Sequence, residues 1–471
     1  MPAPKIGRAS LDATVLITYC FLVFTGLVMI NSTGAPPEGY AQDWAGMIST
    51  PMGKQFIWVV ISALTWFGIH TLIDFRTWIV SAYPIYIGTL VLLVLVLLVG
   101  KEINGARSWF AVGGFTFQPG ELAKFGTCLA MAAFLSQWTG KFDTPRTVLT
   151  GFVLWLLPAL VIMGQPDAGS ALVFTSFLLV MYREGLAGIL YLLSGFTALM
   201  FVLGILYPPL LLIGILLGLF LVLFGFSVPK RGRWLGSGAL VLTAGAIYAY
   251  LTGLGWYFIA GLAALTLTVG AYHLIRRRVR LVAVSAIAIV WGSLLVVAAN
   301  YTFNNVLRPH HQERINVWLR PEGMDPRGAL YNVLQSKLAI SAGGLSGRGF
   351  QQGTMTKYDY VPEQMTDFIF CALGEEQGFF GTSLVIVSFL ILLWRISVIA
   401  ERQKRTFARA YAYGVAGILL IHLLVNVGMT MGLLPVIGIP LPFMSKGGSS
   451  LLSFTIMLAV LLKLDAHRGE V

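Results

Sequence analysis

The hydrophobic pattern of this chain consists of long unbroken runs rather than alternation. Fourteen runs can be marked, from Leu11–Ile30 through the short Ser170–Met181 to Leu451–Leu462, and five fall within Ile189–Asn300. Most approach the roughly twenty residues a helix needs to cross a bilayer. They lack the alternating segments of about ten residues that build membrane barrels. Backbone polar groups in hydrocarbon must pair within their own segment, so runs of this length predict transmembrane helices. The fold class expected is all-α: a polytopic helical membrane protein with about fourteen transmembrane helices.

One stretch breaks the pattern decisively. Asn304–Asp367 holds seven Lys/Arg and six Asp/Glu, with dense Gly and Pro punctuation. Structureless loops beyond roughly 15 residues are uncommon and usually functional. The apolar runs therefore read as a scaffold and residues 304–367 as the large extracytoplasmic loop that they hold.

Composition sharpens this picture. The 471 residues are 57% hydrophobic and 11% charged, with a mean hydropathy of +0.80, whereas soluble domains are about 25% charged. A net charge of +12 would fit nucleic acid, but its placement argues for membrane lipids and against nucleic acid. With the N-terminus inside, 20 of the 32 Lys/Arg fall on cytoplasmic segments and seven of the rest on the large loop. That bias places both termini in the cytoplasm and the loop outside. Arg276–Arg280 reads as a topogenic anchor against anionic lipid. No cleavable signal is evident after Pro4–Arg8. Cys20, Cys128 and Cys371 lie in apolar runs and are expected as buried structural thiols, not a disulfide or metal site.

Several polar residues stand out against this background. Asn104–Gly120 intersperses Trp109, Phe110, Phe115 and Phe117 with small residues, which suits a short structure at the outer interface. Glu121 and Lys124, at i and i+3 of one predicted helix, share a face. Ionisable groups there are costly and face a partner or a cavity, so an ion pair fixing helix packing and a direct site role both stand. Asp167, after Pro166, is placed to cap the next helix or to act in a site. Asp325 lies in the turn-rich Gly323–Gly328, as an Asx-turn residue or a general base. Arg308, Arg314, Arg327, Lys337 and Arg348 flank it, and such a cluster suits an anionic headgroup or diphosphate. Pro435–Ser450 is too rich in Pro and Gly for a plain helix connection.

Together these residues resemble the SEDS family (shape, elongation, division and sporulation). Five blocks carry the likeness: Gly105–Trp109 with Gln118–Lys124; Gln165–Asp167; Asp325–Gly328 with Tyr331 and Gln335–Ile340; Thr366–Phe370 with Glu375–Gly378; and Pro440–Ser450. The resemblance covers about residues 10–185 and 304–465. The segment Gly349–Thr354 is more similar to the elongation branch than to the division branch. The family usually has ten spans, so residues 189–300 are an expansion of about four extra helices. That expansion carries no acidic residue from Pro208 to Phe303 and is expected as a lipid-facing or partner-facing appendage. Lys446 stands where the family often has an aromatic residue, and Arg320 where it often has an acidic one.

The resemblance implies a peptidoglycan glycosyltransferase of the bacterial cytoplasmic membrane. Such an enzyme polymerises lipid II at the outer face for cell elongation, beside a class B penicillin-binding protein, and releases undecaprenyl diphosphate. By the same resemblance the essential loop aspartate falls on Asp325, the functionally important tryptophan on Trp109 and the buried acid–base pair on Glu121 and Lys124. Asp325 would act as general base; Arg107 and the loop Arg/Lys residues, or a divalent cation such as Mg or Mn, would steady the diphosphate. No protein metal site is assigned. Two other readings share these features: a flippase for the same lipid, and a non-catalytic scaffold for the penicillin-binding protein.

Overall fold

The computed structural model describes residues 11–34, 50–103, 105–112, 115–137, 144–226, 232–253, 257–277, 279–307, 309–325, 328 and 330–469. Its helices are α1 (Ala13–Thr33), α2 (Pro51–Thr71), α3 (Phe75–Val80), α4 (Ala82–Val99), α5 (Pro119–Gln137), α6 (Pro145–Met163), α7 (Ala168–Val173) and α8 (Phe177–Arg183). There follow α9 (Gly188–Leu206), α10 (Pro209–Phe226), α11 (Gly232–Leu251), α12 (Tyr257–Ile275), α13 (Val279–Tyr301) and α14 (Pro309–Leu319). The last are α15 (Leu330–Gly343), α16 (Thr354–Lys357), α17 (Ile369–Arg402), α18 (Thr406–Thr430) and α19 (Gly448–Ala466).

Helix starts follow local chemistry. Asp12 caps α1, and Thr50 and Thr144 cap α2 and α6, each of which has a proline in its first turn. A capping oxygen takes up an amide that has no partner inside the helix, and proline lacks that amide. Among the described residues, eleven helices are long and apolar enough to cross a membrane. Two shorter apolar stretches, Ala168–Arg183 and Ile259–Ile275, join them; α5, carrying Glu121 and Lys124, is not among the eleven. Each of the fourteen apolar runs overlaps one of these helical segments.

The chain divides into two units: residues 1–186 with 320–471, and residues 187–319. In the first, α18 and α19 are the inner helices, with 72% and 78% of their apolar windows buried against 17% for α2. Helix α5 belongs with them, buried along nearly its whole length. Ion pairs tie helix ends together: Arg395 and Arg402 meet Asp12, Arg402 meets Asp465, and Arg409 meets Glu184. In the second unit, Met200, Leu212, Leu216 and Val296 form one cluster and Leu217, Leu221, Ala246 and Leu262 another. There α14 turns back on the end of α13, where Gln312 Nε2 donates to the carbonyls of Phe303 (2.7 Å) and Leu307 (3.1 Å).

Two features add to the sequence expectation and a third, Cys20, corrects it. Lys101–Phe117 forms a three-stranded antiparallel sheet, β1 (Lys101–Ile103), β2 (Ala106–Val112) and β3 (Phe115–Phe117), in order β1-β2-β3. Its aromatic and β-branched residues favour strands. Residues 304–367 contain α14, α15 and α16 and are divided between the two units, so this stretch is largely helical. Cys20 is exposed on α1, while Cys128 and Cys371 are buried; an apolar run fixes a thiol's depth along the chain, not the side it faces.

Candidate functional site

The polar centre of the first unit is built on one face of α18. His422, Asn426 and Thr430 recur at i, i+4 and i+8, which stacks them along one side over roughly 12 Å. Each holds a different element. Thr430 accepts, through its carbonyl, the Ser336 hydroxyl of α15 (2.8 Å). Asn426 Nδ2 donates to the carbonyls of Asp367 (2.8 Å) and Ile439 (2.7 Å). His422 Nδ1 lies 3.0 Å from the carbonyl of Pro440.

Below the loop, Lys124 is wholly buried. Its Nζ lies 2.8 Å from Glu121 Oε1, 2.9 Å from His422 Nε2 and 5.3 Å from the centre of the Phe454 ring. A carbonyl can only accept, so His422 carries its proton on Nδ1 and offers the Nε2 lone pair to the Lys124 ammonium. The carboxylate, the imidazole and the ring face together compensate a cation that would otherwise be prohibitive inside a membrane.

Two further carboxylates border the loop after α18. Asp167 caps α7 through the Ser170 amide (2.9 Å) and accepts from Gln118 Nε2 (2.8 Å). Two residues on, Gly169 presses against the Ile437 carbonyl, where any side chain would collide. A side chain at Gly438 would stand 3.1 Å from Asp367 Oδ2. The start of α7 at Gly169 and the carboxylate of Asp367 thus approach the same short stretch, Ile437–Ile439. The loop is fixed further along, where Ser445 Oγ donates to the Thr366 carbonyl (2.5 Å), the Lys446 amide to the Met365 carbonyl (2.8 Å) and the Gly447 amide to Gln55 Oε1 (3.1 Å). Burial, then the charge of Lys54, hold the Lys446 ammonium below its usual range, and Glu363 acts in the opposite sense.

Asp325 is exposed in the turn ahead of α15, where its carbonyl accepts the Gly328 amide (3.1 Å). Since α15 is bonded to α18 through Ser336, the Asp325 turn sits at the end of a helix anchored in the same polar centre. Lys337 is exposed on α15, packed over Gly432. Trp109 is half-buried on β2 opposite Lys101, and Arg107 is exposed opposite Glu102. Arg348 donates to the Ala342 carbonyl (3.2 Å) and to Thr354 Oγ1 (2.7 Å). Arg314 is exposed on α14 in the second unit. Arg308 and Arg327 lie outside the described residues. Sequence reasoning found Glu121 and Lys124 but missed His422 and Asn426. The signal was present: three polar residues four apart in an otherwise apolar helix mark a single face.

A multi-pass helical membrane protein with an ion pair inside and a Pro/Gly loop seated on helix starts is the class that this fold and site define. The chain belongs to the FtsW/RodA/SpoVE family, described as cell cycle proteins, whose sequence profile matches residues 12–216 and 213–470. It is 30% identical over 465 residues to the peptidoglycan glycosyltransferase RodA of Treponema pallidum, spanning 98% of this chain and 99% of that protein. It is 29% identical over 465 residues to the peptidoglycan glycosyltransferase MrdB of Escherichia coli K12, spanning 98% and 95%. A solved structure, reported for the coordination of polymerization and crosslinking by a peptidoglycan synthase complex, shares the fold at a TM-score of 0.60. It has 24% identity and covers 98% of this chain and all of that one.

Proposed function

We infer that this chain is a peptidoglycan glycosyltransferase that polymerises lipid II at the outer face of the cytoplasmic membrane, with both termini inside. The observation that carries the reading is the coincidence of likeness and geometry. Relatives bearing that activity in their names match 98% of the chain, and the segments around Lys124, Asp367 and Pro440 converge on one face of α18.

In the reaction proposed, the 4-hydroxyl of the acceptor GlcNAc attacks the anomeric carbon of the donor MurNAc, and undecaprenyl diphosphate departs with its bonding electrons. The linkage inverts from α to β. Asp325, exposed ahead of α15, takes the hydroxyl proton. The diphosphate is already a good leaving group, so no second carboxylic acid is needed, unlike the paired carboxylates of glycosidases. Lys337, Trp109 and Arg107 are the candidates for holding the lipid-linked sugars. The partner proposed is a class B penicillin-binding protein, which would cross-link the strands.

The test is an assay with purified protein and labelled lipid II, with and without that partner, read as polymer on a gel. Glycan ladders that disappear in Asp325→Asn support the reading. Lipid transfer between leaflets without polymer would replace it with a flippase, and neither polymer nor transfer, with the partner's cross-linking still raised by this chain, with a scaffold.

A further inference from the structure

Helix α17 is broken at Gly378, whose φ of 62° and ψ of −158° are not helical. The lower limb, Phe379–Arg402, is 24 residues, roughly 36 Å, and by itself long enough to span a bilayer. The upper limb, Ile369–Gln377, therefore belongs with the outer site.

In an unbroken helix the amides of Phe379 and Phe380 would donate to the carbonyls of Glu375 and Glu376, four residues back. Here they donate to the carbonyls of Gly344 (2.9 Å) and Leu345 (3.1 Å). The two carbonyls so released accept the amides of Arg348 and Gly349, each at 3.0 Å. One segment, Gly344–Gly349, thus replaces both halves of both missing helical bonds. Glycine is required on each side of this exchange: a side chain at Gly378 would collide with the Gly347 amide, and one at Gly347 (φ 82°) with the Glu376 carbonyl.

The segment begins where α15 ends, and a side chain at Gly343 would strike the Gly374 carbonyl, so α15 and the upper limb are in backbone contact. Its other end is locked as well. Glu375 accepts the amides of Met355 (2.8 Å) and Thr356 (2.9 Å), while Arg348 bridges the Ala342 carbonyl and Thr354 Oγ1. Helix α15, 14 residues and roughly 21 Å long, carries this anchorage towards the Asp325 turn at its opposite end.

We propose that Gly344–Gly349 is a strap that sets the register of α15 in the break of α17, and that Arg348 is a positioning residue for Asp325 rather than a ligand of the lipid diphosphate. This rests on the reading of Asp325 as the general base. The guanidinium closes the strap from α15 to α16, so its loss frees the strap to leave the break. The amides of Phe379 and Phe380 can then return to Glu375 and Glu376 in a straighter helix, and Asp325 shifts with α15.

The test pairs steady-state polymerisation of lipid II with hydrogen–deuterium exchange on the whole protein in micelles. Arg348→Met is expected to lower kcat at least about tenfold, since a misplacement of about 1 Å can cost on the order of 10²-fold. KM should stay within about twofold and exchange should quicken at Arg348–Gly349. A raised KM with unchanged kcat and unchanged exchange would make Arg348 a substrate ligand and overturn the proposal. Gly378→Ala should likewise lose kcat and expose the Arg348 and Gly349 amides; full activity in that variant also overturns it. Asp325→Asn separates the two readings. It should abolish polymer while leaving exchange across the strap unaltered, and if it stays active the base assignment fails, whatever the strap does.

Discussion

Lys124 Nζ and His422 Nε2, 298 positions apart in sequence, lie 2.9 Å from each other inside the helix bundle. The contact makes the ion pair of α5 continuous with the loop after α18, because the other nitrogen of the same imidazole faces Pro440. The two nitrogens can be tested separately. His422→Asn places an amide where Nδ1 stood and keeps the donor to Pro440; His422→Gln places a carbonyl where Nε2 stood and keeps the acceptor for Lys124. The expectation is that Gln preserves thermal stability better than Asn, since a buried ammonium short of one acceptor, even with Glu121 still paired, is the costlier loss. Equal melting temperatures for the two variants would show that Lys124 does not depend on the imidazole.

Glu121 and Lys124 should behave as a unit. Removing either alone leaves the other charge buried and should cost about 3–5 kcal/mol, with the double change Glu121→Gln, Lys124→Met costing less than the sum. Thermal unfolding of the four proteins closes the cycle, and additive losses would refute the coupling.

Asp325→Ala should reduce polymerisation by about 10²–10⁴-fold, as expected when a general base is removed. The melting temperature, read on the same protein, separates loss of the base from loss of the fold. Near-normal polymer would direct attention to Asp167, which accepts from Gln118, or to Asp367 beside Gly438.

Asp12 gives a pH-dependent prediction. Burial pushes its carboxyl up, but the hydrogen bond and charge of Arg395, the Val15 amide and the charge of Arg402 outweigh it. The net position is below the ordinary value of 3.8. The folded state therefore holds the proton more weakly than the unfolded chain. The stabilisation is complete above 3.8 and is lost as pH falls through the lower, folded value. Asp12→Asn should cost about 1–3 kcal/mol near neutral pH. Melting curves of the two proteins should converge in strong acid; a constant gap across the range would mean that the charge of Asp12 is not what matters.

Lys446 runs the other way. Its ammonium is half-buried and feels the charge of Lys54, so the folded state releases the proton more readily than the unfolded chain. The resulting penalty is full at neutral pH and is relieved as pH rises towards 10.5. Lys446→Met should raise the melting temperature at neutral pH, and the gain should shrink in alkaline buffer. If the substitution is neutral or harmful to stability while weakening lipid II binding, the cation serves the substrate instead.

Much of this was legible in the sequence because membrane helices advertise themselves locally. A run of twenty apolar residues needs no partner to be recognised, and Glu121 and Lys124 are conspicuous against it. What was not legible depends on contacts across the chain. Arg348 reads as one of the cations that suit an anion, and spacing alone does not disclose that its Nε and Nη1 donate to Ala342 and Thr354. Two of the strands at Lys101–Phe117 have only three residues, and β2, Ala106–Val112, shows no clean period-two alternation. Cys20 was misplaced because α1 is apolar around its whole circumference, so the pattern does not tell the packed side from the bare one.

The face of α18 that carries His422, Asn426 and Thr430 also bears on how such a chain can change length over evolution. One residue inserted between His422 and Thr430 would rotate everything beyond it by about 100° and move it along the axis by about 1.5 Å. The ammonium side and the α15 side of the helix would then point in different directions, and no substitution at the three positions would restore both. None of the contacts of that face falls within residues 187–319, so a change of length there leaves the register of α18 untouched. A single-codon insertion in the middle of α18 would throw them out of line.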